Sequence, residues 1–180
     1  MKLAVVGAGI AGRLLSWRLS NLGYDVELFD KQKKGEQQAC SFAAAGILSP
    51  LAELEMAEPD IYMLGNRSMT LYPQWLSELS TPVFFQQKGS LVTAHGSDKV
   101  ELEHFYRVVK RKVGTKDSEQ ALIEKISVSE KDADLSHLGE GLFLPTEGQI
   151  DPIELMDSLF NDLKEAKNVK IHNGVTISHI

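Results

Sequence analysis

Cysteine is nearly absent from this chain: Cys40 stands alone in 180 residues. No intramolecular disulfide can form, and a reducing compartment, the cytoplasm, is the expected location. The same count excludes a structural zinc site built on cysteines. A basic excess is also missing. Lys and Arg number 19 against 25 Asp and Glu, a net charge of −6, whereas a nucleic-acid binder carries a basic face. Nucleic acid is therefore not an expected partner. No apolar run approaches the roughly 20 residues that span a bilayer. The apolar start at residues 1–6 is broken by Gly7 and lacks the cleavage pattern of a signal peptide. His95, His104, His137, His172 and His179 show no ligand spacing, so no metal is expected. What remains is an ordinary globular composition, 43% hydrophobic and 24% charged, in a chain long enough to bury a core without staples. One domain is the default, and two small ones are compatible with the length.

The apolar run at residues 2–6 ends at Gly7 and predicts a parallel strand. Ile10, Leu14, Leu15, Trp17, Leu19 and Leu22 then follow helical spacing, and Gly23 suits a helix stop. Residues 24–30 predict a second strand, and 31–38 an exposed loop. Pro59 suits the first turn of a helix whose inward face would carry Ile61, Leu64, Ser68, Leu71, Trp75 and Leu79. Residues 83–87 and 90–94 predict a hairpin joined through Lys88-Gly89. Asp98 can cap a helix running to about residue 112. Residues 114–141 are polar and weakly patterned. A short strand at 142–144 and a turn at Glu147-Gly148 follow. Asp151-Pro152 opens a helix to about residue 167, and strands are predicted at 169–172 and 176–180.

The chemistry is concentrated at Gly7-Ala8-Gly9-Ile10-Ala11-Gly12, a G-x-G-x-x-G between a strand and a helix. Gly7 permits the tight turn, Gly9 leaves room for a pyrophosphate against the backbone, and Gly12 allows close helix–sheet packing. The helix start offers unpaired N–H groups and the positive end of its dipole. Asp30 follows Gly12 by 18 residues, at the end of the second strand, where a carboxylate accepts ribose hydroxyls and disfavours a 2′-phosphate. Lys31, Lys33 and Lys34 soften that exclusion. A nicotinamide enzyme would continue with a further crossover helix and parallel strand. Here a small-residue stretch at 41–50, a long helix and a hairpin follow, which favours an extended flavin dinucleotide. An NAD-dependent dehydrogenase domain and a non-catalytic dinucleotide-binding module stay open as alternatives.

Residues 7–12 with Asp30, the block Cys40-Ser41-Phe42-Ala43-Ala44-Ala45-Gly46-Ile47-Leu48, and Gly148-Gln149-Ile150-Asp151-Pro152 together resemble the FAD-dependent D-amino acid oxidase family. The likeness is strongest to its glycine oxidase branch, tied to thiamine biosynthesis. The resemblance implies an α/β fold: a Rossmann-type FAD-binding domain interrupted by part of an antiparallel-sheet substrate domain. It implies bounds of 1–80 for the first FAD-binding part, 81–145 for the insertion and 146–180 for the return. It also implies roles for residues. The backbone amides of Ile10 and Ala11 would meet the pyrophosphate, Asp30 the ribose, and Lys31 the adenosine. Cys40, expected as a small buried cysteine, and Ser41 would approach the phosphates. Ala45, Gly46 and Ile47 would approach the flavin ring, and Ile177 the adenine.

The implied reaction is oxidation of the C–N bond of glycine, a D-amino acid or sarcosine, by hydride transfer to flavin N5. Water then hydrolyses the imine and oxygen reoxidises the flavin; a quinone-linked amino acid dehydrogenase is the alternative. The flavin carries the hard chemistry, so no acid–base constellation of side chains is required. Family members are longer than this chain, and their substrate-clamping arginine, its neighbouring tyrosine and a final glycine-rich FAD segment have no counterpart here. The resemblance thus implies an incomplete fold, for which no catalytic residue is named. Its partner is a small amine or amino acid, with a homo-oligomer compatible.

Overall fold

The computed structural model describes residues 1–33, 35–36, 38–113 and 122–178. In chain order the elements are β1 (Lys2–Val6), α1 (Ile10–Asn21), β2 (Asp25–Asp30), β3 (Ile47–Leu48), α2 (Pro50–Glu53), α3 (Pro59–Glu78), β4 (Phe85–Gln86) and β5 (Ser90–Thr93). There follow α4 (Lys99–Val113), β6 (Glu124–Ser127), β7 (Glu140–Leu144), β8 (Gly148–Ile150), α5 (Pro152–Glu165) and β9 (Val169–Asn173). The chain divides into two compact units, one of residues 1–46, 74–84 and 150–180, the other of residues 47–73 and 85–149. The expected bounds of 1–80, 81–145 and 146–180 differ from this division, in which the chain first changes unit after Gly46 and returns twice.

The first unit is built on a parallel sheet of order β1-β2-β9. Alternation in β2 buries Val26 and Leu28 on one face, where α1 and α5 pack against the sheet and each other. Trp17 from α1 and Leu155, Met156, Leu159 and Leu163 from α5 complete that core. Asp151 caps α5 through Oδ1, which accepts the Ile153 and Glu154 amides at 2.9 Å each, with Pro152 in the first turn. Helix α1 ends as its sequence predicts, with Leu22 as the cap and Gly23 at φ +83°. Asn168 stitches the two connections together, its Nδ2 donating to the Ser20 and Tyr24 carbonyls.

The second unit contains the antiparallel sheet β5-β7-β6 and the small sheet β3-β8-β4. Its core gathers Leu51, Leu54, Phe105, Val109, Leu142 and Leu144. The predicted hairpin at Lys88-Gly89 is not formed: β4 pairs with β8, and β5 pairs with β7. Gly89 serves another purpose. It takes φ +86°, donates its amide to the Glu147 carbonyl at 2.9 Å, and leaves no room for a Cβ beside the Phe143 ring.

Two further expectations are corrected. The predicted face of α3 fails over its first half, where Ile61 and Leu64 are 54% and 64% exposed, Ser68 is exposed and Met69 is buried instead, while Leu71, Trp75 and Leu79 are half-buried. In that first half the side carrying Gly65 lies against Pro50 of α2, where a Cβ would stand 2.5 Å from the Pro50 Cβ. The predicted strand at 176–180 is also absent across its described part, since Thr176, Ile177 and Ser178 lie in no strand. Gly174 at φ +72° turns the backbone out of the β9 ladder after Asn173. Residues 179–180 lie outside the described residues.

Candidate functional site

The turn between β1 and α1 is held from several sides. Gly7 takes φ +98° and donates its amide to the Phe29 carbonyl at 2.7 Å. Gly12 lies against Gly7: a Cβ there would overlap the Gly7 carbonyl oxygen. Gly9 differs from both. Its φ of −70° is open to any residue, and a Cβ there would meet nothing within 4 Å. The turn therefore needs glycine at 7 and 12 for its own shape. At Gly9 the missing side chain leaves a cleared space in front of the helix.

That space faces the start of α1. The first helical donor is the Arg13 amide, bonded to the Gly9 carbonyl at 2.9 Å, so the amides of Ile10, Ala11 and Gly12 precede the helical ladder. Gly9 supplies no side-chain cap, and the first turn holds no acid. Amides without intrahelical partners and the positive end of the helix dipole make an anion-binding surface. The Ser41 hydroxyl approaches it, accepting the Ile10 amide at 3.4 Å. Ser41 stands in a 3-10 turn, Cys40–Phe42, beside α5. Cys40 in the same turn is exposed, not buried as expected, because a single three-residue turn on the surface cannot enclose it.

Asp30 closes the other end of the turn. Its Oδ2 accepts the Ala8 amide at 2.7 Å and its Oδ1 the Gln32 amide at 2.8 Å. A carboxylate has about four acceptor positions, so each oxygen retains capacity for a hydroxyl donor. Lys31 beside it is exposed. The segment after β9 returns to this corner, with the Val175 amide on the Asp30 carbonyl at 2.9 Å and the Gly174 amide on the Gln32 carbonyl at 2.8 Å. Ile177 lies two residues beyond that contact and is half-buried. Residues 7–12, Asp30 and Ser41 are thus brought together around one turn.

The small-residue block behaves differently. Ala45 is exposed and Ile47 is 64% exposed. Gly46 takes φ +73°, and a Cβ there would run into the Ile150 carbonyl oxygen, whose own amide donates to the Gly46 carbonyl at 2.9 Å. Glycine at this position is therefore demanded by the passage of two backbones.

Sequence reasoning overlooked two charged residues. Arg13, directly after the last glycine of the motif, reaches back to the turn and is described below; a cation in the first turn of a helix, against the dipole, was the available signal. Glu147 is fully buried in the second unit. It accepts the Ala52 amide at 2.7 Å and the Ser90 hydroxyl. Burial pushes its carboxyl above the ordinary glutamate range, against the pull of Ser90 and the Ala52 and Leu51 amides. Only its place in a turn marked it, and turns are normally exposed.

A family model described as FAD dependent oxidoreductase (DAO) matches residues 2–180. A thiamine biosynthesis oxidoreductase, ThiO, of Rhizobium etli is 29% identical over 168 residues, covering 93% of this chain and 47% of the relative. A D-amino acid dehydrogenase of Neisseria meningitidis is 36% identical over 91 residues, 51% of this chain and 20% of the relative. The crystal structure of a glycine oxidase from Bacillus cereus superposes with a TM-score of 0.76 at 19% identity, covering 98% of this chain and 48% of that one; this likeness concerns the fold alone. The chain spans about half the length of the first of these relatives and of the glycine oxidase.

Proposed function

Because the chain belongs to the FAD dependent oxidoreductase (DAO) family, we propose that its glycine turn holds the diphosphate of FAD and that the whole protein oxidises the C–N bond of a small amino acid or amine. The observation that carries the reading is the cleared space at Gly9 in front of the start of α1, where the N-cap residue itself supplies no side-chain bond. Gly7 and Gly12 shape the turn, and Ile10 and Ala11 offer amides to the diphosphate. Ser41 approaches the same amides, and Cys40 is its neighbour. Asp30 takes the adenosine ribose, with Lys31 alongside. Ile177 lies near the adenine, past the Val175 contact with Asp30. Ala45, Gly46 and Ile47 keep the assignment to the flavin ring that the resemblance gave them.

When bound, FAD supplies acceptance of a hydride from the carbon beside the substrate nitrogen. This chain's residues bind and orient it. The amides and helix dipole offset the diphosphate charge, and Asp30 fixes the ribose. The first unit is the FAD-binding part and the second belongs to the substrate domain. The likeness to ThiO supports a place in thiamine biosynthesis, in the cytoplasm. Among the described residues no helix is long and apolar enough to cross a membrane.

The purified protein should carry the visible absorption of an oxidised flavin and form peroxide with glycine, sarcosine or a D-amino acid. A colourless protein with no affinity for FAD would overturn the reading. The N. meningitidis relative, a D-amino acid dehydrogenase, supports a second version in which the acceptor is not oxygen; a quinone is the acceptor proposed for it. Substrate-dependent reduction of a quinone without peroxide selects it.

A further inference from the structure

We propose that Arg13 is the positioning residue of the diphosphate turn, aiming its Gly9 amide toward the diphosphate by gripping the Ala8 carbonyl. The inference rests on the reading of residues 7–12 as a dinucleotide site. Arg13 is half-buried in the first turn of α1. Its Nε donates to the Ala8 carbonyl at 2.8 Å, and its Nη1 to the Met156 carbonyl of α5, also at 2.8 Å. The guanidinium lies over the Phe160 ring, 4.9 Å from its centroid, and over the Phe42 ring at 5.6 Å. One side chain therefore joins the turn after β1, the turn carrying Ser41, and helix α5.

Peptide geometry makes this grip consequential. A trans peptide is planar, with C=O and N–H on opposite sides. The carbonyl of Ala8 and the amide of Gly9 share one such plane. With the carbonyl drawn toward the guanidinium, the Gly9 amide is aimed away from it. The preceding plane is fixed in turn by the Ala8 amide on Asp30. Both peptide planes flanking Ala8 are thereby set, one by a cation and one by a carboxylate.

The location of the charge is informative as well. A cation at a helix N-terminus opposes the dipole, and a half-buried one also loses hydration. Burial lowers the Arg13 pKa, while Asp157 and Asp30 hold it up. The guanidinium remains charged, as arginine does in proteins. Its charge and the dipole repel each other, but both favour a dianion set before the turn.

The test compares FAD, ADP and adenosine binding to the apoprotein by calorimetry, for the unmodified chain, Arg13→Met and Arg13→Lys. ADP carries the diphosphate and adenosine does not. Arg13→Met should weaken FAD and ADP by about tenfold or more because the turn is no longer held in its binding orientation, with adenosine changed by less than about twofold. Arg13→Lys, which keeps the charge but cannot bridge two carbonyls in a fixed fork, should fall between. It decides alone if the methionine variant fails to fold. Equal weakening of ADP and adenosine would reduce Arg13 to general support, and unchanged FAD affinity would remove it from the site; either result overturns the proposal. An unmodified protein that binds neither FAD nor ADP overturns the dinucleotide reading itself.

Discussion

Asp30 holds the Ala8 amide on its Oδ2 at 2.7 Å, joining the end of β2 to the turn that leaves β1. Its other oxygen holds the Gln32 amide at 2.8 Å. The carboxylate is thus a structural acceptor before any ribose arrives, and Ala8 is buried. Asp30→Ala leaves both amides without this acceptor. It should destabilise the apoprotein by about 1–3 kcal/mol and weaken FAD by a similar amount. Urea unfolding of the apoprotein and FAD titration measure the two separately. A folded variant with undiminished FAD affinity would remove Asp30 from the ribose.

Gly9 and Gly12 make opposite predictions from neighbouring positions. A Cβ at Gly9 meets nothing within 4 Å, and its φ of −70° suits any residue. Gly9→Val should therefore change apoprotein stability by about 1 kcal/mol or less, the cost of a poorer helix cap, yet abolish FAD binding. Gly12→Ala forces a methyl onto the Gly7 carbonyl oxygen and should cost about 1–3 kcal/mol in folding. Thermal unfolding of the two apoproteins, set beside their flavin content, checks the contrast. Retention of FAD by Gly9→Val would mean the cleared space is not the diphosphate site.

Asp151 offers a test confined to folding. It takes two amides of the first turn of α5 on one oxygen. Asp151→Ala should cost about 0.5–2 kcal/mol, read as a lower urea midpoint. FAD affinity of the folded fraction should be unchanged, because Asp151 touches no part of the glycine turn.

The parallel unit was the more legible half of the sequence. Its signals are local: an apolar run closed by Gly7, helical spacing from Ile10 to a glycine stop, and Asp151-Pro152 at a helix start. Each is set by backbone conformations that neighbouring residues dictate. The second unit depends on partners distant in sequence. Gly89 reads as a hairpin glycine, yet its conformation serves an approach to Phe143 and Glu147. In the first half of α3 the packed side carries Gly65 against Pro50, a close approach that periodicity cannot register. At the site, the glycines were legible because one turn fixes their spacing, and Asp30 because it ends the strand that follows the first helix. Arg13 was not, since its role comes from reaching Met156 on another helix.

Glu147 gives the pH prediction. Its carboxylate is fully buried, raised by loss of hydration, and held by the Ala52 amide and the Ser90 hydroxyl. A raised folded value means the folded chain keeps its proton where the unfolded chain has lost it. The stabilisation is fully present below the ordinary glutamate value and is lost as pH rises through the raised one. Glu147→Gln stays neutral throughout. Its amide oxygen can take the Ala52 amide, and its NH2 can donate to the Ser90 oxygen. Urea midpoints measured from about pH 4 to pH 7 should therefore show the variant gaining on the unmodified protein as pH rises. Parallel curves would place the Glu147 titration at the ordinary value and assign the polar cluster to the charged form. Measured against Glu147→Gln, Glu147→Ala leaves the Ala52 amide without its acceptor and should cost about 1–3 kcal/mol at every pH, which separates the hydrogen bond from the charge.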